Sequence, residues 1–130
     1  MGEKNSVALP FANRLRQRRD FQAVYQQGIR RSGSYLKLRA LYSESEELPA
    51  RIGISISQKV SKKAVVRNRI KRQIRAACQL LLPEISAGWK IVIVVRPGAQ
   101  ECKYEHFLRE LEKLLVQAEV LDGHKRRSFL

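Results

Sequence analysis

The chain has 130 residues, of which 44% are hydrophobic, and it carries a formal net charge of +14. This hydrophobic content excludes an intrinsically disordered chain, because such chains bury too little apolar surface to fold. The length favours one domain over residues 1–130. So large a positive charge indicates a polyanionic partner, with nucleic acid preferred over an anionic membrane surface.

The positive charge is concentrated in the first two thirds of the chain. Up to Pro83 there are 18 basic and 5 acidic residues, whereas from Glu84 onward there are 8 basic and 7 acidic residues. We therefore expect the binding surface to come mostly from the part of the chain before Pro83.

Cysteine usage and hydropathy predict a cytoplasmic protein with no membrane partner. Cys78 and Cys102 are too few for a disulfide scaffold and lack metal-site spacing, so both are predicted to be reduced thiols. The longest apolar run, Ile91–Val95, is too short to span a bilayer. The N-terminus shows no signal-peptide pattern.

The first predicted helix follows a basic segment. Residues 1–10 are interpreted as a flexible N-terminal segment, and Arg14–Arg19 as a basic lead-in. Apolar residues then recur at helical spacing, which predicts a helix over about Arg18–Gln27. Gly28 is a natural stop for that helix.

Two aromatic residues of this helix leave two interpretations open. Phe21 and Tyr25 stand one turn apart on the side that also carries Val24, for which core packing is expected. The aromatic pair is equally compatible with core packing and with a platform on which single-stranded bases stack.

Two strands are predicted before the most basic stretch. Arg30–Gly33 is interpreted as a basic turn, and the alternation over Tyr35–Tyr42 predicts a strand with a partly basic outer face. After the acidic loop Ser43–Pro49, the sequence RIGISIS over 51–57 alternates clearly. Its second face carries small residues, which leave room for another backbone or a ligand.

The most basic stretch, Lys59–Arg75, contains no acidic residue and predicts an amphipathic helix. Val66, Ile70 and Ile74 form an apolar stripe, and the basic side chains project mostly on the opposite side. A charge run is usually a solvated surface, but so many cations without a carboxylate repel one another, which favours contact with phosphates. Ser61 is the candidate N-cap, and the helix is expected to end near Leu82, before Pro83.

The last third of the chain predicts a buried strand and a scaffold helix. Trp89–Val95 is almost continuously apolar, as in a strand buried on both faces, so the basic helix sits in a β-α-β unit. Tyr104–Val120 has the pattern of an amphipathic helix with Glu110, Glu112 and Lys113 outside. Residues 122–130 are interpreted as a basic, flexible tail.

The sequence offers little for catalysis by the protein itself. Its acidic residues are scattered, without the spacing of paired carboxylates or of a two-metal centre. The two histidines, His106 and His124, are expected to be solvated, which disfavours a metal site and histidine-based chemistry. A protein-only endonuclease is therefore disfavoured.

The sequence KKAVVRNRIKRQIR resembles the RNR signature of the bacterial ribonuclease P protein subunit. NRLRQRRDFQAVYQQG is similar to the first helix of that family, RIGISISQKVSKKAV to the strand that leads into the signature, and WKIVIVVRPGA to the last strand. Four similarities in the right order cover most of the chain.

This resemblance implies an α+β fold with αβββαβα order. It implies a two-layer, ribosomal-protein-like sandwich in one domain, whose four-stranded sheet contains a left-handed βαβ crossover, an exception to the usual hand. It also implies that the protein is the accessory subunit of an endoribonuclease whose catalytic centre is RNA with bound Mg²⁺. That enzyme removes the 5′ leader of precursor tRNA. The protein itself is expected to bind no cofactor and to pair 1:1 with the catalytic RNA.

The resemblance assigns residues to two RNA surfaces and none to catalysis or metal binding. The residues expected to bind the catalytic RNA are Lys59, Lys62, Lys63, Arg67, Asn68, Arg69, Lys71, Arg72 and Arg75. Those expected to bind the 5′ leader are Phe21, Tyr25, Arg14, Arg16, Lys37 and Arg39. The alternative is a ribosomal or translation-associated RNA-binding protein of similar fold.

Overall fold

The computed structural model describes residues 9–44 and 47–121, which form three helices and four strands. In chain order these are α1 (Arg18–Gln27), β1 (Ile29–Ser32), β2 (Leu36–Tyr42), β3 (Arg51–Ser55), α2 (Ala64–Leu81), β4 (Trp89–Val95) and α3 (Tyr104–Gln117). The predicted αβββαβα order is confirmed. The basic tail, residues 122–130, lies outside the described residues.

The four strands form one mixed sheet in the order β1-β2-β4-β3. β1 with β2 and β2 with β4 pair antiparallel, whereas β3 and β4 pair parallel, with α2 as the connection between them. This confirms the β-α-β unit and the α+β class. The left hand of the crossover stays a prediction.

The sheet has helices on both faces. On one face α2 and α3 build the main core, in which Ile70, Ile74 and Phe107 are fully buried against Leu38 and Ile93. This face accounts for the predicted two layers.

On the other face α1 builds a smaller core and adds a partial third layer. Val24 is buried there with Leu15 and Val92. β4 is therefore buried from both sides, as its continuous apolar sequence predicts, since Ile91 and Val92 point to opposite faces and are 1% and 0% exposed.

Two local predictions were wrong. Arg30–Gly33 was interpreted as a turn, but Ile29–Ser32 forms the edge strand β1. All four residues of β1 are exposed, so burial imposes no alternation of apolar and polar residues on this strand. Ser61 does not cap α2, whose N-cap is Lys63; instead the Ser61 hydroxyl accepts the Lys63 N–H at 3.2 Å, within the preceding turn.

The N-terminal segment joins the main core at a residue that was predicted to be flexible. Leu9 is 1% exposed and lies in the main core, although residues 1–10 were predicted to be flexible. Residues 1–8 lie outside the described part of the chain.

The glycine that ends α1 is required by close packing rather than by its backbone angles. Gly28 has an ordinary φ of −77°, but a Cβ at this position would lie 2.6 Å from the carbonyl oxygen of Val24 and 3.0 Å from that of Ala40. The helix therefore ends where the chain must pass directly against β2.

The last helix is shorter than predicted and one of its acids faces inward. α3 ends at Gln117, not at Val120. Glu110 was placed outside, but it is only partly exposed and its carboxylate accepts the backbone N–H groups of Tyr35 and Leu36 at 2.8 and 2.7 Å. Its spacing on the helix places it at the edge of the apolar stripe, beside the β1–β2 turn.

Candidate nucleic-acid interface

The nine residues assigned to the catalytic RNA lie on α2 or on the turn directly before it; we call them the ridge. Lys59, Lys62 and Lys63 are exposed on that turn. The apolar stripe of α2, with Ile70 and Ile74 fully buried, fixes the rotation of the helix and turns the basic residues away from the core.

The cations on α2 itself project from different sides of the helix and differ in exposure. Arg67, Lys71 and Arg75 follow one another at intervals of four residues and are half-buried, whereas Asn68 and Arg72 are exposed. Within the described part of the chain, no salt bridge joins a ridge cation to a carboxylate. The positive charge of this surface is therefore uncompensated.

The two arginines of the RNR sequence are held by backbone carbonyls. Arg67 Nη1 donates to the Ser61 carbonyl at 2.8 Å, and Arg69 Nη2 donates to the Gln100 carbonyl at 3.0 Å. A guanidinium has five N–H donors, so most remain available for phosphate oxygens. These contacts orient both side chains before any RNA arrives.

The structure groups Arg14 with the ridge. Arg14 forms a parallel bridge with Ile52, so its side chain emerges on the α2 face of the sheet, where its Nε donates to the Leu9 carbonyl at 2.8 Å. Burial lowers the pKa of Arg75, and the nearby charge of Arg14 lowers it further. These two neighbouring guanidiniums beside α2 are suited to an anion.

The second predicted surface lies on the opposite face of the sheet, beside α1. Phe21 packs on Gly53, where a Cβ would lie 2.4 Å from the Phe21 ring. The Tyr25 ring stacks with the Arg39 guanidinium, 5.0 Å from its centroid. Both aromatic residues are partly buried against the smaller core, so each combines packing with a partly exposed surface.

A partly exposed row of residues crosses the sheet next to this aromatic pair. The strand register aligns Gly53, Val92 and Arg39 in the row under α1. The next row contains Ser55, Val94, Lys37 and Ser32. Of these, Ser32 is exposed and the others are half-buried. We call this row, together with Phe21, Tyr25 and Arg39, the cleft.

An acidic residue fixes the start of α1 on the sheet. Asp20 lies 3.5 Å from Arg51 and 3.4 Å from Lys90, and all three side chains are less than a fifth exposed. The pairs hold the helix across β3 and β4. Two cations beside the cleft are thus paired with a carboxylate, whereas no described carboxylate pairs with a ridge cation.

Arg16 lies at a third position, with Phe11. Its guanidinium sits 4.4 Å from the centroid of the Phe11 ring, and that ring is 68% exposed. Among the described residues, the cation–π contact of Arg16 is with Phe11, whereas that of Tyr25 is with Arg39. Sequence reasoning missed Phe11, whose only signal is an aromatic residue next to the basic lead-in.

His106 and the two cysteines, residue types often used in catalysis, lie outside the ridge and the cleft. His106 is exposed and its Nδ1 accepts the Lys103 N–H at 2.9 Å; His124 lies outside the described residues. Both cysteines are free, and burial raises the pKa of the Cys78 thiol to about 12. Among residues 9–44 and 47–121, no group of three or more His, Cys, Asp or Glu is placed to hold a metal ion.

None of the helices in the described ranges is long and apolar enough to cross a membrane.

Comparisons with known proteins give one consistent result. The family model Ribonuclease P matches residues 9–119. The ribonuclease P protein component of Microcystis aeruginosa is 59% identical over 120 residues, which cover 91% of this chain and 100% of that protein. The corresponding protein of Rippkaea orientalis is 56% identical over 127 residues, covering 95% of this chain and 100% of that protein.

Solved structures show the same similarity in three dimensions. The RNase P protein of Staphylococcus aureus superposes with a TM-score of 0.76 at 28% identity, covering 85% of this chain and 98% of that one. The RNase P protein of Thermotoga maritima gives a TM-score of 0.69 at 26% identity, covering 80% and 96%.

Proposed function

This chain belongs to the ribonuclease P protein family, and we propose that it binds the catalytic RNA through the ridge and the 5′ leader of precursor tRNA through the cleft. As a protein subunit of that endoribonuclease, it promotes removal of the leader to give the mature tRNA 5′ end. The observation that carries the proposal is the uncompensated ridge on one face of the sheet, with an aromatic, partly open cleft on the other.

Each surface suits the RNA assigned to it. A structured RNA presents phosphates along its helices, and a fixed array of guanidinium and ammonium groups binds phosphates without reading sequence. A single-stranded leader exposes its bases, which stack on aromatic side chains such as Phe21 and Tyr25. Lys37 and Arg39 lie in the cleft and supply the charge for the leader phosphates.

We assign the chemical step to the RNA subunit with bound Mg²⁺. We also propose that one protein binds each RNA subunit. The protein contributes binding energy and position. By holding both the leader and the catalytic RNA, it fixes the cleavage site of the precursor relative to the catalytic centre.

The test is 5′ processing of precursor tRNA at low Mg²⁺ by the catalytic RNA, with and without this protein. We expect processing to be stimulated because the bound protein adds affinity for the precursor and neutralises phosphates that otherwise need Mg²⁺. Absence of stimulation would contradict the proposal and favour a ribosomal or translation-associated RNA-binding protein. Cleavage by the protein without RNA would contradict the assignment of chemistry.

A further inference from the structure

A cavity of about 470 Å³ lies at the sheet edge away from the ridge, between the β1–β2 turn and α3. We call it the edge cavity. Its walls are Ser32 from the end of β1, Gly33, Ser34 and Tyr35 from the turn, and His106, Arg109, Glu110, Lys113, Leu114 and Gln117 from α3. None of the α3 residues belongs to the ridge or to the cleft.

Specific contacts hold the walls of the edge cavity together. The Glu110 carboxylate accepts two backbone N–H groups of the turn, and Arg96 Nη1 donates to the Gly33 carbonyl at 2.7 Å. Arg31 Nε donates to the Gln117 carbonyl at 3.2 Å and so ties β1 to the end of α3. A Cβ on Gly33 would lie 2.3 Å from Glu110 Oε2, so the turn needs glycine for this carboxylate to approach. The cavity is thus preformed, as binding sites usually are.

The rim of the edge cavity is positive. Arg109 and Lys113 stand one turn apart on α3, both are exposed, and neither forms a salt bridge with a described carboxylate. The one acidic residue of the lining, Glu110, already accepts two hydrogen bonds from the backbone. Glu105 and Glu112 also lie within about one turn of Arg109 but do not line the cavity, so it is the lining that favours an anion at Arg109 and Lys113.

The edge cavity meets the cleft at the edge strand β1, although α3 and α1 lie on opposite faces of the sheet. Ser32 ends the partly exposed row of the cleft and also lines the cavity. From Ser55 to Ser32 the row crosses three interstrand spacings, about 14 Å in all at about 4.8 Å each. A strand of RNA that follows this row to Ser32 and then turns round the edge strand β1 reaches the cavity that Arg109 and Lys113 also line.

We propose that the edge cavity extends the path of the single-stranded 5′ leader, with Arg109 and Lys113 binding phosphates of nucleotides that have passed beyond the cleft. The inference rests on the proposed function, because it assumes that the leader occupies the cleft. It adds a contact with the protein that only longer leaders make.

The experiment uses precursor tRNAs whose leaders are lengthened one nucleotide at a time, bound by the complex of protein and catalytic RNA. For the unchanged protein we expect affinity to rise with each nucleotide in the cleft and to rise again once the leader reaches β1. Arg109→Ala/Lys113→Ala should abolish only the second rise. For the long leader it should lower the dependence of log affinity on log salt by about 1.4, since each single-strand phosphate contact contributes about 0.7.

Lys103→Ala is the control for loss of a nearby cation, because Lys103 is an exposed lysine directly before α3 that does not line the cavity. It should leave the second rise intact. An equal loss for the shortest and longest leaders, or weaker binding to the catalytic RNA alone, would overturn the inference. So would the absence of any second rise in the unchanged protein. Failure of the proposed function is distinguishable, since then even the shortest leader would gain nothing from the protein.

Discussion

The ridge and the cleft lie on opposite faces of one sheet and hold their positive charge in different ways. Within the described residues the ridge cations face no carboxylate, whereas beside the cleft Asp20 pairs with Arg51 and Lys90. The ridge has no aromatic side chain, whereas in the cleft Tyr25 stacks with Arg39. We therefore expect charge to dominate RNA binding at the ridge and base stacking to dominate it at the cleft.

The largest expected effect comes from removing exposed cations of the ridge. Lys62→Ala/Lys63→Ala/Arg72→Ala should weaken binding to the catalytic RNA and lower the salt dependence of log affinity by about 2.7, at about 0.9 per duplex phosphate contact. The measurement is a filter-binding titration across a salt series.

A variant of equal charge provides the control for the ridge. Lys103→Ala/Arg109→Ala/Lys113→Ala also removes three exposed cations, but from the region of α3. It should leave binding to the catalytic RNA almost unchanged. Equal losses for the two variants would mean that net charge, and not the ridge, determines the affinity.

The affinity of the cleft for precursor tRNA should depend more on its aromatic rings than on the salt concentration. Phe21→Ala should weaken binding of precursor tRNA by roughly 1–3 kcal/mol, the usual contribution of a stacked base, and should leave mature tRNA almost unaffected. Phe21→Leu keeps an apolar side chain on Gly53 and should lose similar affinity. Full affinity in Phe21→Leu would instead assign the role of Phe21 to packing.

A smaller effect is expected at the anchor of α1. Asp20→Asn removes the carboxylate that holds Arg51 and Lys90. It should lower the free energy of unfolding by about 1 kcal/mol, because both ion pairs are long, at 3.5 and 3.4 Å, and the 16–19% exposure of the side chains still lets solvent screen them. Urea unfolding measures this change. Binding to the catalytic RNA should stay constant, and its loss would show that the two faces are coupled.

The smallest effect concerns the buried side of α2. Burial raises the pKa of the Cys78 thiol to about 12 from an ordinary value of 9.0, so in a Cys102→Ser background Cys78 should not react with a thiol reagent at neutral pH until the protein is unfolded. The pKa of Cys78 is higher in the folded protein than in the unfolded chain. The contribution of this thiol to the free energy of unfolding is therefore complete below about pH 9, and it is lost as the pH rises from 9 towards 12. Rapid labelling of the folded protein would contradict this placement of α2.

The sequence predicted best those elements whose burial is strongly one-sided or complete. α1 was predicted at its observed bounds, since Phe21, Val24 and Tyr25 share one face, and β4 was predicted from a run of apolar residues buried on both sides. β1 was missed by the pattern of residues because an exposed edge strand carries no alternating signal. The resemblance implied the third strand, which the residues alone left open.

The features missed at the site depend on contacts between distant segments. The small residue Gly53 suggested room for a ligand or another backbone, but the ring of Phe21 occupies that room. Glu110 was read as a surface acid because helical periodicity does not reveal the β1–β2 turn that reaches its carboxylate. Arg14 was grouped with Arg16 by sequence, yet pairing with Ile52 directs it toward Arg75.

Site-specific crosslinking tests the division of labour most directly. A photoreactive residue at the position of Arg72, on the ridge, and another at the position of Tyr25, in the cleft, are each placed in the assembled complex with labelled catalytic RNA or labelled precursor leader. The account predicts that position 72 labels only the catalytic RNA and that position 25 labels the leader. Labelling of the same RNA from both positions would contradict it.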